Sequence, residues 1–212
     1  MAEETTMKNI KANLGIALLI GGLVLVAVTP ASAWQVAADF ITGGGYFFIG
    51  QNAFGGSTFV CATFGSFANF GWHGGVKNGQ FWGNGNYLDH GCGLHVHNTQ
   101  VRDYICVSGP CPSTTHQDTG TREVCGNATS NFGPVAYYRV RMNDTEPESA
   151  KQDKFGISLY DANFTHVYIA QGTPIKGGNI ELHKGNPSNT APAPSGFCDF
   201  LRSRTIVEFS FS

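Results

Sequence analysis

Charge is scarce in this chain: 13 Lys plus Arg against 15 Asp plus Glu in 212 residues give a formal net charge of −2. No basic cluster interrupts that balance, which argues against a nucleic-acid partner and against an anionic membrane surface, and leaves neutral targets as the expectation. No Gly-x-Ser-x-Gly or His-Glu-x-x-His occurs, so the common nucleophile and zinc-peptidase signatures are missing. There is no Cys-x-x-Cys pair either, which speaks against a structural zinc site. Beyond the amino terminus no long stretch has helical periodicity, and no tandem repeat is evident.

Residues 14–28 are a continuous apolar and glycine run, with Lys8 and Lys11 before it and Thr29-Pro30-Ala31-Ser32-Ala33 after it. This pattern predicts a secretory signal peptide over residues 1–33 with an Ala-x-Ala cleavage site. The run is shorter than the roughly twenty residues a membrane-spanning helix needs. The expected product is secreted, extracellular or periplasmic, and free of the membrane. Its six cysteines, Cys61, Cys92, Cys106, Cys111, Cys125 and Cys198, are even in number and read as three disulfides. Cys106 and Cys111 enclose a Ser-Gly-Pro turn and suit local closure, while Cys198 suits a staple on the tail; the connectivity stays open.

With 28 glycines, 16 phenylalanines and alternating segments, the remainder predicts one all-β domain, an antiparallel β-sandwich or jelly roll stapled by disulfides, over residues 34–185. Residues 186–212 read as a Pro-rich strap followed by a C-terminal strand. Strands are expected at Thr58–Phe67, across Gln100–Val107, and from Thr121. Pro134–Met142 alternates most cleanly, with Val135, Tyr137, Arg139 and Arg141 opposite Ala136, Tyr138, Val140 and Met142. A hairpin is expected around Asp161-Ala162-Asn163, and Asn69–Gly75, rich in glycine, reads as a turn.

Chemistry-bearing residues concentrate in Tyr87-Leu88-Asp89-His90-Gly91-Cys92-Gly93-Leu94-His95-Val96-His97. Alternation puts His95 and His97 on one face, a spacing that two ligands of one metal ion can use, with His90 and Asp89 as further candidates. The competing reading is a solvated polar face that needs no metal. Trp72 and Trp82, with neighbouring Phe side chains, are candidates for stacking against a neutral polysaccharide, or else for the core. Asp144, Glu146 and Asp153 are hard oxygen donors for Ca²⁺, although their spacing matches no EF-hand. Sequons fall at Asn127, Asn143 and Asn163.

The order Gly43-Gly44-Gly45, Phe64-Gly65, Phe70-Gly71, Tyr87-Leu88-Asp89-His90, Gly93-Leu94-His95-Val96, Arg141-Met142-Asn143-Asp144-Thr145-Glu146-Pro147, Asp153-Lys154-Phe155-Gly156-Ile157-Ser158-Leu159 and Gly177-Gly178-Asn179-Ile180-Glu181-Leu182-His183 resembles the post-COAP-1 type β-rich domain of secreted bacterial proteins. The resemblance spans Ile41–Lys184. It implies a β fold at the bacterial cell surface and brings no catalytic residues. Lysine often stands in that family where this chain has His95, so a metal site using His95 would be particular to this protein. Three functions stand as expectations: a non-enzymatic structural or binding domain, with a self-assembling subunit as a special case, a carbohydrate-binding module, and a metal-dependent jelly-roll enzyme.

Overall fold

The computed structural model of the protein describes residues 35–50, 54–55, 61, 63–145 and 152–211. The signal peptide expected over residues 1–33, and Glu146 of the calcium candidates, lie outside them. The chain runs β1 (Phe40–Phe48), β2 (Phe54–Gly55), β3 (Phe67–Lys77), β4 (Gln80–Asp89), β5 (Leu94–Ser108), β6 (Gly120–Ser130), β7 (Tyr137–Asp144), β8 (Lys154–Tyr160), β9 (His166–Gly172), β10 (Gly177–His183) and α1 (Phe197–Ser203). The all-β expectation holds.

All ten strands belong to one sheet in the order β10-β1-β3-β4-β5-β6-β7-β8-β9-β2, with every pairing antiparallel. The two separate sheets of a sandwich are therefore replaced by one curled sheet. β5 joins the two halves: Leu94–His97 pair with β4, and Val96–Ser108 pair with β6 through three register shifts. Bulges sharpen local twist, and three in succession turn a long strand from one half of the sheet into the other.

The concave side is the core. Ile41, Phe47, Phe70, Trp72, Tyr87, Leu94 and Val96 from the first half meet Val124, Tyr138, Val140, Phe155, Ile157, Leu159 and Tyr168 from the second. Phe70 stacks on Phe155 with ring centroids 3.9 Å apart, and Trp72 meets Tyr138 edge-on at 4.8 Å. These contacts explain why Asn69–Gly75 is strand rather than the expected turn. A Cβ on Gly74 would lie 2.6 Å from Val124, and one on Gly85 would lie 2.1 Å from the Trp72 ring. The glycines make room for large side chains crossing between the halves.

Two further expectations are corrected. Among the described residues of Thr58–Phe67, the chain before Phe67 is not strand, because Thr63–Ser66 closes a turn through Gly65 at φ 80°. Thr205–Phe211 is not a strand either, and does not pair with the parent sheet. Instead α1, unforeseen in the sequence, is stapled to β6 by Cys125–Cys198, and Asp103 accepts the Cys198 N–H at 3.0 Å. The chain beyond it lies across the convex side of β7–β9, where Phe209 and Phe211 pack on Ile169. Gly156 admits Phe209, since a Cβ there would sit 2.6 Å from its ring.

The tail covers charge as well as apolar surface. Arg139 and Arg141 share one face of β7, as their alternation predicts, but that face is buried. Glu123 on β6 accepts from Arg141 Nε at 2.7 Å and from Arg202 of α1 at 2.8 Å, with Arg139 at 3.6 Å. Arg139 also pairs with Glu208 of the tail, and Arg141 donates to the Phe211 carbonyl. Burial disfavours the Glu123 charge, yet the three guanidinium groups outweigh it and hold its carboxyl below the ordinary carboxylate value.

Removing Glu123 would strand buried cations, so Glu123→Ala is expected to cost about 3–5 kcal/mol in chemical denaturation. The tail also confers acid sensitivity through His166, whose Nδ1 accepts the Ile206 N–H at 3.1 Å. Burial, and then the Arg139 cation, depress this imidazole from 6.5 to about 4. The unfolded chain takes up a proton that the native state refuses, so this contribution is complete above pH 6.5 and is lost as pH falls to about 4. Urea midpoints measured across that window should fall for the native sequence and flatten in His166→Asn.

Candidate functional site

The convex side of the other half, β10-β1-β3-β4 with the start of β5, has no such cover among the described residues. Alternation along each strand decides what it shows. Register places Asn179, Gly44, Gly71, Asn86 and His97 in one row across the sheet, and Glu181, Thr42, His73 and Asn84 in the next. A row nearer the Phe48 end carries Tyr46, Asn69, Leu88 and His95. Gly44 and Gly71 leave a trough, an open groove of about 460 Å³ lined by Thr42, Gly43, Gly44, Gly71, Trp72, His73, Asn179 and Glu181. A Cβ on Gly71 would meet nothing within 4 Å, so the trough floor is empty above it.

Aromatic clusters stand at both ends of the trough. At one end Phe40 stacks on His183 at 4.5 Å and lies 5.9 Å from Trp82, which approaches His73 at 5.3 Å. At the other, Phe67 lies 5.3 Å from Tyr46, 6.2 Å from Phe48 and 4.8 Å from His90. Phe40 and Tyr46 are six residues apart on β1, roughly 20 Å at the strand rise. Partial burial lowers the His73 pKa from 6.5, so its ring is neutral at pH 7 and presents one donor and one acceptor. Thr42 Oγ1 and His183 Nε2 are 2.8 Å apart.

Of the two tryptophans singled out for stacking, Trp82 belongs to this face. Trp72 is 1% exposed, its ring in the core, and only the edge of the groove touches it. The histidine stretch is divided by the same alternation. His95 and His97 share the convex face with ring centroids 4.1 Å apart. His90, on the turn after β4, hydrogen-bonds Asn69 at 2.6 Å. Asp89 points the opposite way, fully buried, where it accepts from Tyr168 at 3.0 Å and from the Gly91 N–H at 2.8 Å. The fold thus brings two of the four proposed metal ligands together and separates Asp89 from them.

Asp144 and Asp153 have another task. β10 is an outer strand of the sheet, and the N–H groups it turns away from β1 are taken by side chains: Ile180 donates to Asp153 and Leu182 to Asp144, each at 2.8 Å. Carboxylates thereby end the hydrogen-bond ladder across the curl. Among the sequons, Asn143 is buried and bonded to Thr121, whereas Asn163 is exposed in the β8–β9 turn.

Two of the three expected disulfides are closed, Cys61–Cys92 and Cys125–Cys198, and both fit an oxidising, extracellular-type compartment. Cys106 and Cys111 remain thiols. No helix among the described residues is long and apolar enough to cross a membrane. Comparison with protein-family models, with curated proteins and with solved structures finds no match.

The edge-capping role gives a direct expectation. Asp153→Ala leaves the Ile180 N–H without its acceptor and should cost about 1–3 kcal/mol. Millimolar Ca²⁺ should leave the thermal midpoint of the unaltered protein unchanged, because the carboxylates already hold backbone donors.

Proposed function

We propose that this protein is a secreted, non-enzymatic binding domain of post-COAP-1 type whose bare sheet face holds a neutral polysaccharide. The observation that carries the reading is the glycine trough between two aromatic clusters on the one convex surface that the described tail leaves open. Flat aromatic rings supply apolar contact to sugar faces, and amide, hydroxyl and imidazole groups supply paired donors and acceptors for hydroxyls. Asn84, Asn86, Asn179, Thr42 and His73 provide that set. The scarcity of charge on the chain suits an uncharged polymer, and the N-terminal apolar run with its Ala-x-Ala sequence supports export.

A structural, self-associating role is the second reading. The side-chain capping of β10 disfavours growth by strand addition at that edge; association through the bare face would compete with glycan. A metal-dependent enzyme has weaker support, since His95 and His97 supply two ligands and Asp89 faces the core.

The test uses a panel of neutral polysaccharides in affinity electrophoresis and calorimetry. Gly71→Phe puts a ring into the trough from a position where an added Cβ meets nothing within 4 Å, and should abolish binding while the melting temperature holds. Trp82→Ala should weaken binding about tenfold, the loss of roughly 1.4 kcal/mol of contact. Binding that survives Gly71→Phe would sink the reading, as would a panel with no ligand.

A further inference from the structure

Cys106 and Cys111 differ from the other four cysteines in how they are held. Cys106 lies two residues before the end of β5 and is buried, whereas Cys111, beyond the Ser-Gly-Pro turn, is partly exposed. The Gln35 carbonyl accepts the Cys106 N–H at 2.9 Å and lies 3.9 Å from the Cys111 sulfur, so one carbonyl touches both cysteines. What brings them together is a guanidinium group. Arg122, buried and paired with Asp39 at 2.6 Å, donates to the Ser108 carbonyl at 2.9 Å and to the Pro110 carbonyl, both within the loop that separates the sulfurs. Asp39 also accepts the Ser113 N–H at 2.6 Å just past Cys111, and the Tyr104 hydroxyl at 2.6 Å just before Cys106. Gly109, at φ 80°, makes the turn, and its missing Cβ lets the loop sit on Thr119.

The loop geometry is therefore imposed by Arg122 and Asp39 and needs no covalent bond between the sulfurs. We propose that Cys106 and Cys111 are a reversible dithiol–disulfide pair, entered through Cys111 by thiol and disulfide partners, alongside the two permanent staples Cys61–Cys92 and Cys125–Cys198. The permanent pairs join residues 31 and 73 positions apart and anchor separate parts of the fold. Four residues lie between Cys106 and Cys111, so opening that bond releases little chain.

The chemistry assigns the two sulfurs different parts. In the oxidised form an external thiolate attacks the accessible Cys111 sulfur, the Cys106–Cys111 bond breaks, and Cys106 leaves as a thiolate beside the Arg122 cation. The neighbouring Cys111 thiol and then Arg122 lower the Cys106 thiol, while the Cys106 sulfur and burial raise Cys111. The better leaving group is the inner one. A second external thiolate attacks the partner's sulfur in the mixed disulfide and releases Cys111 as a thiolate; the two partner thiols leave as one disulfide, and the two protons they gave up end on Cys106 and Cys111. Oxidation runs the same steps backwards: Cys111 forms a mixed disulfide with a disulfide partner, and the Cys106 thiolate displaces that partner's thiolate.

The test equilibrates the native full-length protein in glutathione buffers stepped from reducing to oxidising, traps thiols by alkylation, and reads each cysteine by peptide mass spectrometry. The expected result is that Cys106 and Cys111 convert together across the series while the other four stay unlabelled and the melting midpoint barely moves. Cys106→Ser should accumulate a glutathione adduct on Cys111, and Cys111→Ser should leave Cys106 unmodified. The proposal is overturned if the pair stays dithiol in the most oxidising buffer or closed in the most reducing one, or if the adduct forms on Cys106.

Discussion

The buried carboxylate of Glu123 is the point on which the arrangement of this molecule turns. A curled antiparallel sheet has one concave face, which becomes the core, and a convex face that must be either covered or tolerated in water. Over β6–β9 the sequence places Arg139 and Arg141 where a solvated face would put them, and then buries them. That is possible because Glu123 gathers both guanidiniums with Arg202, and because the tail contributes Glu208 and the rings of Phe209 and Phe211. Arg139 lies 4.6 Å from the Phe209 ring centroid, so the ring replaces some of the water that the cation gives up. The cluster clamps the tail to one half of the sheet and so leaves the other half bare.

What the sequence disclosed follows from which signals are local. The two faces of β7, the β8–β9 hairpin and the shared face of His95 and His97 are period-2 patterns, and they appear in the fold as read. The glycines of β3 misled, because a glycine such as Gly74 that makes room for Val124 looks the same in sequence as one that makes a turn; only the partner, distant in the chain, tells them apart. The helix carrying Cys198 is seven residues long and held by Asp103 and a disulfide, so its own periodicity is faint. Asp89 and His90 are neighbours in sequence and opposites in space, which no motif reading would separate without the strand register.

The same local–distant distinction bears on the candidate site. Trp82 and Trp72 both sit in aromatic, Gly-rich surroundings, yet the register of β3 and β4 sends one to the convex face and the other to the core. Tyr46, Phe40, Asn179 and Glu181 gave no signal alone. They become a surface because β10 and β1, far apart in sequence, pair in a register that lines Glu181 up with Thr42 and Asn179 with Gly44.

Sheet edges set the remaining constraint on function. An outer strand with free N–H groups invites another chain, and a surface domain built to polymerise would be expected to offer one. Here the outward N–H groups of Ile180 and Leu182 are held by Asp153 and Asp144, which reach them from the turn-proximal ends of β8 and β7 only because the sheet curls back on itself. Curling thus satisfies the β10 edge and creates the convex face in one step. On the proposed reading, partners meet the side chains of that face, where a row of amides and imidazole over a glycine floor is better matched to hydroxyl-rich ligands than to a second strand.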